Sequence, residues 1–447
     1  MIWKWVFAMT STLRQGSQLI RKTLNLSQAQ VLLNFSFWLA AGGIGILAVL
    51  YAKFIAWVQA VFFGQFESTP GLVTLAGPFL FVGATWLVRR FAPDAKGSGI
   101  PQVLSAIAQS AREPSNFNLS WQSSLVAPKT AVIKVLSSGV GILAGASIGR
   151  EGPTVQIAAA GFSWMGSQVR RFVPTADFQT FLVAGSAAGV AAAFNTPIAG
   201  VAFAIEELGG GALSSVRQVV MLAVIVAGVI SQAISGNYLY FGHPEIVNSE
   251  ALLLMGESVG IGVLGGLAGG VFAKILAQPQ LTKLPTHWIV RAFLTGAICA
   301  LVGYLTLGRT AGSGYEVTLK ILNSETIEDV SLLFPVLKLA TTILSYLSGM
   351  AGGIFSPSLS IGAGLGLSVA KILGLVNFKA CALIGMVAFF SGAVRAPLTG
   401  VIIVMEMTDQ HFLILPFMIA AYLANSTGKL VMPEALYHYL ARKHLDG

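Results

Sequence analysis

The sequence predicts an all-α polytopic membrane protein made of two homologous halves of tilted and broken helices. Three observations carry the prediction. Charged residues make up 10% of the 447 positions and hydrophobic residues 55%, with a mean hydropathy of +0.76; an ordinary soluble domain carries about 25% charged residues. Apolar runs of bilayer-spanning length, about 20 residues, recur along the whole chain. The second half also repeats motifs of the first, in the same order.

With only 27 Lys/Arg and 18 Asp/Glu, a globule of this size could not cover its surface with ionised groups. The composition also excludes a disordered chain and a nucleic-acid-binding protein. Cys299 and Cys381 sit inside apolar runs, which argues against a disulfide scaffold or a metal–cysteine site. The 50 glycines suit close helix approach. They cluster beside polar residues and prolines, so they also suggest interrupted helices.

The net charge of +9 reads as an orientation signal. Segment 1–31 holds Lys4, Arg14, Arg21 and Lys22, ahead of the first acid, Glu67. It is expected to be a cytoplasmic amphipathic segment. No small-residue cleavage site follows a clean apolar core, so it is read as retained.

Spanning runs then follow near 32–63, 71–89, 123–148, 216–235, 252–277, 289–308, 332–350 and 410–431. Shorter apolar pieces, at 153–169, 178–193, 197–205, 357–376, 380–393 and 397–407, read as half-helices or strongly tilted helices. Polar stretches near 92–122, 236–250, 278–287 and 309–331 are expected to be surface loops.

The repeat organises these pieces. AFNTPIAGVAFAIEE at 193–207 matches AVRAPLTGVIIVMEM at 393–407, a separation of 200. GREGPTVQIAA at 149–159 echoes GIFSPSLSIGA at 353–363, and Gly97-Ser98-Gly99 echoes Gly312-Ser313-Gly314. Lys134 precedes Glu151 by 17 residues, and Lys338 precedes Phe355 by 17. The predicted halves are 32–235 and 252–431, joined by 236–251 and followed by a C-terminal segment, 432–447. Hydropathy alone leaves open whether they run parallel or inverted.

Three segments share a glycine-rich start, a proline and then an apolar helix: 97–101, 149–153 and 353–357. Proline is tolerated in a helix's first turn, where its missing N–H is not needed. The unpaired N–H groups and the positive helix end form an anion site. Such backbone must be buried or line a polar cavity within a bilayer. Packing kinks are the bland alternative, weakened by threefold recurrence.

Glu151 lies at one of these helix starts. A carboxylate deep in the bilayer costs roughly 2.5–3.5 kcal/mol on insertion scales. There it can occupy the anion site while ionised and leave when protonated, which makes it a gate and a proton acceptor together. A static pair with Arg150 is the alternative. Glu206 recurs as Glu406, which predicts a structural role such as capping or a buried pair. Glu207 is matched by Met407 and is the better proton-relay residue. The five histidines show no metal-ligand spacing, no histidine base serves a nucleophile, and no phosphate-binding loop is present. No cofactor and no nucleotide are expected.

GSGIP at 97–101, GREGP at 149–153 and GIFSP at 353–357, in this order, resemble the CLC chloride channels and chloride/proton exchangers. The likeness covers the chain from about residue 30 to its C-terminus. It implies a homodimer with a pore in each subunit, each built from two inverted halves of the CLC-type fold. Ser98 and the amides of Ile354 and Phe355 are similar to the family's ligands for the central chloride. Glu151 resembles the external gating glutamate, with the amides of Arg150 and Gly152 at the outer site. The family's pore tyrosine maps to Tyr437, with Tyr439 in reserve; the expected position, two residues after Pro433, holds Ala435. Glu207 resembles the inner proton-transfer glutamate of the exchangers, where channels carry an apolar residue.

The resemblance therefore implies a proton/chloride antiporter of the prokaryotic type without regulatory C-terminal domains. Its substrates would be chloride and protons, its bound ions chloride, and its site a lipid bilayer, by default a bacterial plasma (inner) membrane. Ser98 favours chloride over nitrate, and the intact GREGP argues against the fluoride branch. A passive chloride channel is the alternative; a membrane hydrolase or a scaffold fits the residues less well.

Overall fold

The computed structural model describes residues 2–112, 123–173, 176–208, 213–236, 239–246, 251–282, 284–323 and 330–446; the side chains of 2–29, 213–217, 251 and 446 lie outside the described set. The expected amphipathic character of 1–31 therefore falls almost entirely outside it. Regular structure among the described residues is helical apart from short bridges. The first eight α-helices are α1 (Ile2–Ser68), α2 (Pro70–Phe91), α3 (Ile100–Arg112), α4 (Pro128–Leu143), α5 (Glu151–Val169), α6 (Phe178–Phe194), α7 (Pro197–Phe203) and α8 (Leu213–Ser235). They recur in order as α9 (Ala251–Ala277), α10 (Trp288–Leu305), α11 (Tyr315–Asn323), α12 (Phe334–Ser348), α13 (Phe355–Leu373), α14 (Phe378–Val394), α15 (Pro397–Thr408) and α16 (Ile414–Val431), with α17 (Leu436–Asp446) as an addition.

Seven of the described helices are long and apolar enough to cross a membrane. The chain is an integral, multi-pass membrane protein. Proline begins α2, α7 and α15 at the first helical position. At the matching joints, α6 and α14 end on left-handed residues, Asn195 (φ 60°) and Arg395 (φ 71°). Asparagine tolerates that conformation. Arg395 is held in it by its guanidinium, which donates to the carbonyls of Gly392 and Asn425, each at 3.0 Å, and to that of Met432.

The halves exchange equivalent contacts, as a two-fold relation between them requires. The Gly149 N–H donates to the Gly353 carbonyl and the Gly353 N–H to the Gly149 carbonyl, both at 2.8 Å. Gly97 N–H bonds Met350 C=O, and its counterpart Gly312 N–H bonds Ala146 C=O, each at 2.9 Å. Farther out, Glu206 accepts from the N–H groups of Leu398 (2.8 Å) and Thr399 (2.6 Å). Glu406 accepts from those of Ile198 (3.1 Å) and Ala199 (2.8 Å). Each glutamate thus caps the other half's helix, supplying acceptors for amides that the first turn leaves open.

Two fully buried lysines are matched in the same way. Lys134 Nζ donates to the Gly97 carbonyl at 3.0 Å. Lys338 Nζ donates to the carbonyls of Thr310, Ala311 and Gly312 at 2.8–3.3 Å. They hold two loops whose glycines, Gly97 and Gly312, have φ of 65° and 62°, a backbone region that glycine enters without penalty.

Several boundaries differ from the sequence expectations. The runs at 123–148 and 332–350 form helices of 16 and 15 residues, because proline starts and glycine-rich turns shorten them. The piece expected at 357–376 begins earlier, as the 19-residue α13. The polar stretches 92–122 and 309–331 contain α3 and α11. Both are short amphipathic helices whose apolar faces are buried, and a hydropathy average does not register them.

Candidate anion-transport site

The N-termini of α5 and α13 meet at the Gly149–Gly353 bridge. Only glycine fits at this crossing. A Cβ on Gly353 would come within 2.9 Å of Pro153 and 3.1 Å of the Gly152 nitrogen. One on Gly152 would strike the Ser98 hydroxyl, and one on Gly149 would strike the Glu151 carboxylate. Ser98, Gly152, Glu151 and the start of α13 therefore occupy one small region.

Arg150 and Ile354 are the N-cap residues of the two helices. The N–H groups that follow them have no intrahelical acceptor by helix geometry. Phe355 is buried, with its ring centroid 4.9 Å from that of Phe194 and 4.3 Å from that of Phe390. This packing fixes the backbone that presents the amides. Ser98 and Tyr437 are buried with their hydroxyls near each other, and among the described residues neither hydroxyl makes a well-formed hydrogen bond to protein. Tyr437 lies within electrostatic reach of Ser98, Glu207, Tyr346 and Glu151. Tyr439 sits apart, half-buried, with the Arg442 guanidinium 5.6 Å from its ring.

Glu151 is 1% exposed. Its Oε1 accepts from the Tyr240 hydroxyl at 3.4 Å and lies 3.9 Å from Arg150 Nε, while Oε2 has no protein partner. The Arg150 pair is thus a long contact. The carboxylate lines a cavity of about 320 Å³ shared with Arg150, Tyr240, Ser313, Tyr315 and Glu316. Glu207 lies elsewhere, in a π-helical turn (Ala204–Leu208) that extends α7, buried and with Oε2 unpartnered. It lines neither this cavity nor the next.

A second cavity, of about 400 Å³, lies beyond the Ser98 loop. Tyr346 lines it, and the Tyr346 ring abuts Gly97. Its walls carry Lys96, Arg291, Lys443 and His444. Burial, then the cations Arg291, Lys443 and Arg89, hold Lys96 below the ordinary lysine range. His444 is likewise pushed down, mainly by burial.

Sequence reasoning did not find Tyr240 or this basic cavity. Tyr240-Phe241, an aromatic pair in a polar connection, was the available signal. The lysines were matched by spacing alone, without their role as carbonyl clamps.

The fold is similar to that of three solved proteins. One is a slow cyanobacterial Cl⁻/H⁺ antiporter (TM-score 0.78, 23% identity, covering 93% of this chain and 98% of that one). The second is a CLC-type fluoride/proton antiporter (0.74, 23%, 91% and 97%). The third is a eukaryotic CLC transporter (0.72, 20%, 93% and 74%). At these identities the likeness speaks for the architecture, including its inverted halves. The model of the family described as voltage gated chloride channel matches residues 79–429, most of the sequence. The chain belongs to this family, the CLC proteins.

Proposed function

We propose that the protein is a proton/chloride antiporter in which Glu151 is both the gate and the external proton acceptor. The observation that carries this reading is the Glu151 carboxylate, buried beside two helix N-termini with one oxygen unpartnered. Amides and hydroxyls can hold a chloride without a full positive charge, which lets the ion leave again. In this reading Ser98, Tyr437 and the amides of Ile354 and Phe355 hold the central chloride, and the amides of Arg150 and Gly152 the outer one. An ionised Glu151 carboxylate takes the place of the outer chloride; on protonation it loses its attraction to the helix ends and swings out. The two cavities would then be the approaches from either side of the membrane, the Glu151 cavity external.

Glu207 supports exchange over passive conduction, because it is a buried acid with an unpartnered oxygen near Tyr437. It would pass protons to the cytoplasmic side. The protein would act as a homodimer, with its N-terminus cytoplasmic, in a bacterial plasma membrane, with no cofactor. Reversal potentials in planar bilayers under opposed chloride and proton gradients test the reading. A coupled exchanger shifts its reversal potential with the pH gradient. A potential fixed at the chloride equilibrium value would make it a channel.

A further inference from the structure

We propose that Tyr240, in the connection between the halves, is a positioning residue that holds the Glu151 carboxylate in the anion path. The inference rests on Glu151 being the proton-linked gate. The Tyr240 hydroxyl donates to Glu151 Oε1 at 3.4 Å, and both residues line the same cavity. The ring is 6% exposed and held edge-on by three aromatic neighbours. Its centroid lies 5.1 Å from Tyr315 at 82°, 4.9 Å from Phe241 at 81° and 6.0 Å from Phe194 at 65°. The next residue is tied to the second half, because the Phe241 N–H donates to the Met407 carbonyl at 3.0 Å. The hydroxyl's position is therefore set jointly by α6, α11 and α15.

Glu151 has no acidic counterpart in the second half, where Phe355 stands. Its donor comes from a segment that belongs to neither repeat, so both elements of the latch fall outside the two-fold pattern. At 3.4 Å the contact is longer than the roughly 2.5–3.0 Å of a strong O–H···O bond, which makes it a weak one. It biases the carboxylate without locking it, as a gate that opens in every cycle requires. The phenol donates to an ionised carboxylate more strongly than to a neutral acid, so it favours the closed, unprotonated gate. The other titratable groups facing Glu151 are Arg150 at the start of α5, Tyr51 on α1, Tyr437 on α17, and Tyr315 and Glu316 of α11 across the cavity. All of them remain when the Tyr240 hydroxyl is removed.

The test is chloride flux from liposomes as a function of pH for wild type, Y240F, Y240L, E151Q and Y240F/E151Q. Loss of the donor lets the gate protonate at higher pH. The Y240F half-activation point should therefore move up by roughly 0.5–1 pH unit, a bias of a few-fold to tenfold. Y240F keeps the ring, so packing is not the variable. In the E151Q background the Y240F change should have no effect. A Y240F profile that overlays wild type, with Y240L alone altered and E151Q flat, would reduce Tyr240 to a packing residue and overturn the proposal. Wild-type pH dependence in E151Q would remove the gate itself, and the latch with it.

Discussion

The two halves share a scaffold and differ in their acids. Glu206 and Glu406 occupy one repeat position and do the same thing, each capping a helix of the opposite half. Lys134 and Lys338 likewise clamp equivalent loops. At two other positions the symmetry breaks: Glu151 faces Phe355 across the Gly149–Gly353 bridge, and Glu207 corresponds to Met407. The repeated glutamates and lysines are satisfied by protein, whereas both unrepeated acids keep an unpartnered carboxylate oxygen. A buried polar atom without a partner costs free energy; in the proposed reading, these two oxygens are where a proton is taken up and released. In the reading proposed above, the shared scaffold builds the anion site and the departures from it supply the groups that couple proton movement to the anion.

Substitutions that erase or impose the symmetry probe this contrast. The largest effect is expected for E151Q, which keeps the side chain's shape and removes its titration. Proton uptake driven by a chloride gradient should fall to the leak of empty liposomes, while chloride efflux persists and loses its pH dependence. E207Q, or E207M copying the second half, should abolish proton pumping too. Chloride flux should still fall as pH rises, because Glu151 is intact. Full coupling in E207M would break the assignment of the asymmetric acids.

Effects on the symmetric pairs should be smaller and appear in stability. K338M leaves the carbonyls of Thr310, Ala311 and Gly312 without their lysine donor, whereas in K134M the Gly97 carbonyl loses the ammonium but keeps the Gly352 N–H at 3.0 Å. At about 1–3 kcal/mol for a buried group left unpaired, K338M should lower the thermal unfolding temperature in detergent, and K134M should lower it less. Only K134M should also weaken chloride binding by calorimetry, since Gly97 precedes Ser98. E206Q and E406Q should cost about 1 kcal/mol each, nearly equally, with proton coupling intact. A loss of coupling in E206Q but not E406Q would show that the repeated pair is functionally split.

Much of this was legible in the chain. GSGIP, GREGP and GIFSP name the helix starts, because glycine and proline act on local backbone and need no partner to do so. The spacing of 200 between Pro197 and Pro397 located equivalent helices to the residue. Hydropathy failed at α3 and α11, where burial of one face of a polar segment depends on what packs against it. It also could not show that Tyr240, from a connecting loop, reaches a residue 89 positions away.

The sequence by itself determined the solvent, the repeat and the residues proposed here to bind an anion or a proton. These follow from composition, periodicity and local backbone chemistry. Only the tertiary structure decided which amides each glutamate caps, that Tyr437 and not Tyr439 turns toward Ser98, and that Glu151 rests against Tyr240. Those are contacts between segments far apart in the chain, set by how two related halves close on each other.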